Sequence, residues 1–114
     1  MQLPKDAMLL RIFCGEADKC HGKPLCEAIV LKAREMHMAG ATVLRGPMGY
    51  GPSSRVHTTK THRLSADLPL IIEIVDNEEK IDAFLSVLDG MMGSGLVTIE
   101  KAKVLRYGAG AGKP

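Results

Sequence analysis

A loop rich in glycine and basic residues is the part of this sequence whose residue types are best suited to binding chemistry. Residues 46–63 read GPMGYGPSSRVHTTKTHR and show neither helical nor strand periodicity. Glycines such as Gly49 and Gly51 let a backbone approach a ligand closely, with exposed N–H groups that attract anions. The positively charged candidates are Arg55, Lys60 and Arg63, with His57 and His62 among them. This combination favours a phosphate, a nucleotide or an acidic protein surface as the ligand.

The loop matches neither of the two common nucleotide-binding motifs, and a role without a ligand stays open. No Gly-Lys-Ser/Thr sequence ends it before a helix, which excludes a Walker A loop. Gly49-x-Gly51 leads into more loop and then a strand, which excludes a Rossmann fingerprint. Long loops in compact domains are either functional or disordered. The residues alone therefore also allow a solvated loop whose charges only keep the chain soluble.

A second cluster of glycines lies at residues 90–95, which read GMMGSG. A helix stop followed by a turn explains Gly90 or Gly93 without any ligand. Three glycines within six residues exceed what a stop requires. Gly93, Ser94 and Gly95 are therefore kept as candidate ligand-binding residues.

Three cysteines and one histidine form a possible set of metal ligands: Cys14, Cys20, His21 and Cys26. Thiolate and imidazole groups suit Zn²⁺ or Cu⁺. The spacing C-x5-C-H-x4-C lacks the C-x2-C pair that makes a zinc site specific. The more common role of such cysteines is that of small apolar side chains around the start of a helix.

Neither the motifs nor the composition indicates catalysis, nucleic-acid binding or membrane insertion. Ser53 and Ser54 have His57 nearby, but nothing marks a catalytic triad, so we expect no enzyme activity. The net charge of +2 is too small to predict a nucleic-acid partner. The N-terminus lacks the pattern of a secretory signal, and no apolar run approaches the ~18–20 residues of a membrane span. We therefore expect a cytoplasmic protein that does not insert into a membrane.

The periodicity predicts four strands and two helices in the order βαββαβ. Helix periodicity predicts one helix over residues 25–36, about four turns stopped by Gly40, and a second with an apolar stripe from Ile81 to Met92. Asp76 and Glu79 predict a capping box at the start of the second helix. The predicted strands are residues 8–13, 41–45, 70–75 and 96–107, the last with a possible bend near Lys101.

This order predicts one α+β domain, a ferredoxin-like sandwich over residues 1–107, followed by a flexible tail over residues 108–114. Right-handed crossovers place both helices on one face of a four-stranded antiparallel sheet. The other face would carry Leu9, Phe13, Ile71 and Val75, which are too apolar to remain in water. We therefore expect a homo-oligomer whose subunits cover this face.

Several stretches resemble the PII signalling proteins in order and spacing. They are residues 38–43 (MAGATV), 49–51 (GYG), 72–75 (IEIV), 90–95 (GMMGSG) and 102–106 (AKVLR). The chain is more closely similar to a family of small bacterial PII-like proteins catalogued as a domain of unknown function. That similarity runs from Leu10 to Pro69 and continues to Arg106.

The resemblance implies a homotrimer with the bare sheet faces packed centrally. It implies that adenine nucleotides are possible effectors, bound in clefts between subunits. One side of the cleft would hold Thr42, Gly49 and Gly51, and the other Gly93, Ser94, Gly95 and Arg106. The long loop would be the T-loop, which contacts a regulated partner such as a membrane transporter or channel.

The chain departs from the PII pattern at two positions. Leu96 stands where PII proteins have a phosphate-binding lysine, and Gly108 corresponds to a second arginine. Both changes favour a smaller or less charged ligand, or none. Two alternatives stay open: a CutA-like trimer that binds metal through Cys14, Cys20, His21 and Cys26, and an interaction module without a ligand.

Overall fold

A computed structural model of the chain describes residues 5–52, 56–58 and 67–108. The elements in chain order are β1 Asp6–Gly15, β2 Lys19–Cys20, β3 Lys23–Pro24, α1 Leu25–Glu35, β4 Thr42–Arg45, β5 Met48–Gly49, β6 His57–Thr58, β7 Pro69–Asp76, α2 Glu78–Asp89 and β8 Leu96–Lys103. The main sheet has four antiparallel strands in the spatial order β4-β7-β1-β8. Two short hairpins, β2 with β3 and β5 with β6, lie outside this sheet.

The core lies between the two helices and one face of the sheet. Alternate residues of the two central strands point into it, because successive strand side chains face opposite sides. Both helices pack their apolar stripes on this same face, which confirms the predicted βαββαβ sandwich. The most deeply buried side chains are Leu10, Ile12, Ile29, Ile72, Ile74, Ile81 and Phe84.

Asp76 is the buried polar residue among these apolar side chains, with no exposed surface. Its Oδ2 accepts a hydrogen bond of 2.8 Å from the Ala39 N–H, and its Oδ1 accepts one of 2.7 Å from the Asn77 N–H. A buried carboxylate is costly unless its oxygens are hydrogen-bonded. The two bonds tie the segment before β4 to the junction between β7 and α2.

The ends of both helices differ from the predictions. The cap of α2 is Asn77, whose Oδ1 accepts from the Lys80 N–H at 2.8 Å, so the predicted capping box of Asp76 and Glu79 is wrong by one residue. Helix α1 is shorter than predicted and ends at Glu35, well before Gly40. His37 adopts the left-handed φ of 58° that turns the chain there. The Lys80 ammonium donates to the His37 carbonyl and stabilises this turn.

The strands also extend differently from the predicted ranges. β1 is longer at both ends, since its pairing with β7 and β8 runs from Asp6 to Gly15. β8 ends at Lys103 rather than continuing to residue 107. Within the long loop, Met48–Gly49 pairs with His57–Thr58, so part of this loop forms a short hairpin. The predicted tail after Gly108 lies outside the described residues, as do Ser53 and Ser54.

The sheet face away from the helices, called the open face below, carries one apolar row across all four strands. Leu44 lies opposite Ile71, Ile71 opposite Phe13, and Phe13 opposite Leu96. The next row is polar, and at its centre Arg11 pairs with Glu73 at 2.9 Å and with Glu100 at 2.8 Å. Leu44 and Leu96 are 46% and 55% exposed. The described chain therefore leaves an apolar strip without cover.

The Asp76 carboxylate gives the first prediction. Asp76→Ala leaves two backbone N–H groups without acceptors in the interior, which we expect to lower the free energy of unfolding by about 2–5 kcal/mol. Urea denaturation at one fixed protein concentration measures the change. Asp82→Ala, on the exposed side of α2, is the matched control and should change it by less than about 0.5 kcal/mol. Equal effects of the two substitutions would show that Asp76 has no special structural role.

Candidate functional site

A cleft of about 580 Å³ lies between the start of β4 and the end of β8. Thr42 is the first residue of β4 and pairs opposite Glu73 of β7, and both line this cleft. Arg106 lines it from the segment that follows β8. We call it the Thr42–Arg106 cleft. Its full lining is Leu9, Ala39, Gly40, Ala41, Thr42, Glu73, Val75 and residues 102–107.

The walls of this cleft are held by backbone contacts on both sides. The Ala39 N–H is bound by Asp76, which sets the approach of the chain to Thr42. The Val104 N–H donates to the Lys5 carbonyl at 2.7 Å, and the Tyr107 hydroxyl donates to the Ala39 carbonyl at 2.7 Å. Residues 104–107 therefore close one side of the cleft.

The charges at this cleft suit a ligand with an anionic group and polar donors. Arg106 is exposed, and no acidic side chain in the described ranges pairs with it. Lys103 supplies a second cation, only loosely paired with Asp6 at 3.9 Å. The hydrogen bond from Arg11 to Glu73, followed by the negative charges of Glu100 and Glu73, raises the pKa of Arg11. Glu73 is thus already paired on one side, and its carboxylate can still accept hydrogen bonds within the cleft.

The glycine turn lies at a second cleft, of about 520 Å³, at the other end of β8. Gly93, Ser94 and Gly95 line it together with side chains of α2 and Val97. Gly95 has φ +133°, and a Cβ there would lie 2.7 Å from the Phe13 carbonyl oxygen. Gly95 is therefore required by the close approach of this turn to β1, whatever the turn binds.

Within one chain, Arg106 lies with Thr42 and not with the glycine turn. The eight residues of β8 lie between the glycine turn and Arg106, and this strand alone spans about 25 Å at the usual rise. The structure therefore brings two of the predicted residues together and places three others at the opposite end of the sheet. Only a neighbouring subunit can bring the glycine turn to Thr42 and Arg106.

Both ends of the long loop are held together at its base. The Gly46 N–H donates to the Pro69 carbonyl at 2.8 Å, and the Glu16 N–H donates to the Leu68 carbonyl at 2.9 Å. Arg45 pairs with Glu16 at 2.6 Å. Gly49 packs so closely on Pro69 that a Cβ would lie 3.0 Å from the ring, which gives it a structural role.

The structure gives less information about the other loop residues that were predicted to bind a ligand. Gly51 faces open space, with nothing within 4 Å of a Cβ built there. Arg55, Lys60 and Arg63 lie outside the described residues, and so does His62. The predicted anion site of the loop itself therefore stays a prediction.

The described cysteines and histidines do not form a metal centre. No group of three or more His, Cys, Asp or Glu side chains in the described ranges is placed to hold a metal ion. Cys14, Cys20, His21 and Cys26 are all within those ranges, and the three thiols are free and partly buried against the core. Burial raises the pKa of the Cys14 thiol to about 12, and the negative charges of Asp18, Cys26 and Asp67 add to this effect.

Sequence reasoning missed Tyr107, Glu73 and Lys103 as residues of the cleft. Tyr107 is one of only two tyrosines and directly follows Arg106, which is a weak local signal. Its hydrogen bond with Ala39 joins residues 68 positions apart, and neither segment carries a sequence signal that predicts this contact. Glu73 was visible only as the polar residue in an otherwise apolar strand.

Comparison with solved structures defines the class of fold as PII-like. A nitrogen regulatory PII-like protein called CPII from Thiomonas intermedia, solved with ADP, AMP and bicarbonate, superposes with a TM-score of 0.64 over 92% of each chain at 18% identity. A putative PII-like signaling protein from Thermus thermophilus superposes with a TM-score of 0.64 at 17% identity, over 91% of this chain and 93% of that one. At these identities the likeness concerns the fold.

Sequence comparison then identifies the family. The profile of DUF190, described as "Uncharacterized ACR, COG1993", matches residues 7–104, so the chain belongs to this family. A UPF0166 protein of Aquifex aeolicus is 39% identical over 97 residues, which cover 85% of this chain and 91% of that protein. UPF0166 protein MJ1524 of Methanocaldococcus jannaschii is 36% identical over 101 residues, covering 88% and 93%. The resemblance found in the sequence is thereby confirmed.

Burial of the Cys14 thiol gives the second prediction. A pKa of about 12 instead of 9.0 lowers the thiolate fraction at pH 8 about a thousandfold, so iodoacetamide should alkylate Cys14 far more slowly in the folded protein than in urea. Peptide mass spectrometry gives the rates.

The same pKa links stability to pH. The unfolded chain releases the Cys14 proton above about pH 9 while the folded chain retains it, so the free energy of unfolding falls as pH rises from about 9 to 12. In Cys14→Ala, the free energy of unfolding should not show this part of the decline between about pH 9 and 12. An identical pH profile for the variant would show that the thiol is not shielded.

Proposed function

We propose that this protein is a PII-like regulatory protein that binds a small anionic effector, an adenine nucleotide, in clefts completed by a neighbouring subunit. The observation that carries this proposal is the meeting of Thr42, Glu73 and Arg106 in one cleft. Arg106 supplies a cation without an ion-pair partner in the described ranges, and Thr42 and Glu73 supply polar groups beside it. The ADP and AMP bound to CPII support a nucleotide as the effector class.

The Thr42–Arg106 cleft alone is open and half-formed, which supports a site shared between subunits. Glycine N–H groups are good phosphate ligands, and Gly93–Gly95 lie at the opposite end of β8. A rotational assembly brings this turn of one subunit to the cleft of the next. The absence of the PII lysine at Leu96 leaves Arg106 and the turn's backbone as the phosphate ligands in this proposal.

A homotrimer packed through the open face would provide that assembly. The apolar row Leu44–Ile71–Phe13–Leu96 gives it a hydrophobic contact. Arg11 pairs with both Glu73 and Glu100 within one subunit, which offsets part of the cost of burying these charges. Two edge strands, β4 and β8, flank the face.

The long loop is proposed as the contact with a regulated protein. The Gly46 N–H at its start is bound to the Pro69 carbonyl, and its described residues Met48, Tyr50 and Val56 expose 56–71% of their surface. Exposed apolar side chains on a loop are typical of protein contacts. The class of partner, such as a membrane transporter or channel, rests on the PII resemblance alone. Among the described residues, neither helix has the length and apolar character of a membrane span. On the PII resemblance, we propose a cytoplasmic, non-catalytic role.

Calorimetry tests the effector with ATP, ADP, AMP, cyclic AMP and cyclic di-AMP, each with and without bicarbonate. Arg106→Ala should weaken binding of the best ligand about 10- to 100-fold, because one charge-assisted contact to phosphate is lost. Arg34→Ala removes an exposed arginine from the last turn of α1 and is the matched control, with unchanged binding expected. No heat with any ligand would refute the nucleotide proposal and favour an interaction module without a ligand.

Light scattering tests the assembly. The wild-type chain should have three times the mass of one 12.3 kDa subunit. Leu44→Lys places a charge in the apolar row of the open face and should convert the trimer to monomers with unchanged circular dichroism. Leu31→Lys, at a residue equally exposed on α1, should leave the trimer intact. A wild-type monomer would contradict the shared cleft.

A further inference from the structure

Both backbone polar groups of Ala39 are used by distant side chains. Its N–H donates to the buried Asp76, and its carbonyl accepts from the hydroxyl of Tyr107. Asp76 belongs to the rigid end of β7, whereas Tyr107 belongs to the irregular segment after β8. The Tyr107 hydrogen bond therefore joins a segment outside the sheet, which can open locally, to a fixed wall of the Thr42–Arg106 cleft.

Residues 104–107, called the strap below, are tied at two points. The Val104 N–H is bound to the Lys5 carbonyl at the beginning, and the Tyr107 hydroxyl is bound to Ala39 at the end. Between these ties lie Leu105, which is 87% exposed, and the exposed Arg106. Neither side chain packs firmly, so the position of Arg106 depends on the two ties.

We propose that Tyr107 is a positioning residue of the cleft: its hydroxyl closes the strap against Ala39 and so aims Arg106 at the ligand. The proposal rests on the proposed function. Tyr107 contributes through Arg106, because the one proton that its hydroxyl could donate to an anion is already bound by the Ala39 carbonyl. Loss of one neutral, half-exposed hydrogen bond shifts the ratio of closed to open strap about 3- to 10-fold.

Ligand binding and strap closure must then be coupled in both directions. A ligand that holds Arg106 selects the closed strap, and a closed strap binds the ligand more tightly by the same factor. The coupling concerns anionic ligands, since Arg106 is the group that the strap carries into the cleft. Adenosine, which has no phosphate, should be insensitive to the strap.

The first measurement follows the strap without any nucleotide. The proposal requires that trypsin cleaves after Arg106 faster when the strap leaves the wall, and mass spectrometry gives the cleavage rate. Tyr107→Phe, which keeps the ring and removes the hydroxyl, should accelerate this cleavage about 3- to 10-fold. Asp82→Ala, on the exposed side of α2 and outside the lining of the cleft, is the control and should leave this rate unchanged. Equal rates for wild type and Tyr107→Phe would overturn the proposal.

The second measurement is a double-mutant cycle on nucleotide affinity. Tyr107→Phe should weaken binding of the best nucleotide about 3- to 10-fold in the wild-type background and have no effect in the Arg106→Ala background. A general loss of packing would persist in both backgrounds, and that result would overturn the positioning role. Thermal denaturation midpoints of the variants, compared in parallel, show whether folding is retained.

The outcomes separate this proposal from the proposed function. A wild-type protein that binds a nucleotide with the same affinity as Tyr107→Phe overturns the positioning role alone. A wild-type protein that binds no nucleotide refutes the proposed function, and the positioning role falls with it even if the cleavage rates differ. Slower cleavage after Arg106 on adding nucleotide, with Tyr107→Phe needing about 3- to 10-fold more nucleotide than the wild type for the same protection, supports both.

Discussion

The buried carboxylate of Asp76 is the constraint on which the arrangement of this protein depends. An isolated charge in an apolar core would be strongly unfavourable, and the two backbone N–H groups of Ala39 and Asn77 offset that cost. The bond from Ala39 also joins two separate parts of the chain: the junction between β7 and α2, and the approach to β4. The candidate site is built directly on this junction, because Ala39 begins one wall of the cleft.

Much of the fold followed from the sequence, because its signals are local or periodic. The apolar run of β7, broken only by Glu73, and the apolar stripes of both helices place this central strand and the helices correctly. The ends of elements were predicted less well for a physical reason. Asp76 and Asn77 are both good cap residues, and only the tertiary structure decides that one enters the core while the other caps the helix. His37 likewise takes a left-handed conformation that glycine would adopt more easily.

The candidate site was only partly predictable. Thr42 and Arg106 were named through the PII resemblance, but their common cleft depends on β1 lying between β7 and β8. The contact of Tyr107 with Ala39 depends on the same topology and has no local signature. The separation of Arg106 from the glycine turn follows from the length of β8, and the strand predicted over residues 96–107 already implied it. The residue types were enough to identify candidate ligand-binding side chains. Which of these side chains lie in the same cleft depends on the three-dimensional path of the chain.

The base of the long loop has a consequence for how this protein can diversify. Gly46 and Glu16 bind the Pro69 and Leu68 carbonyls, so the two ends of the loop are joined by contacts that belong to the sheet. The entropy of closing a flexible loop grows only slowly with length, by about 0.6 kcal/mol for each doubling. Insertions or deletions between these ends should therefore leave the fold almost unaffected. Evolution, or a protein engineer, can exchange this segment for one with different specificity while the scaffold keeps its stability.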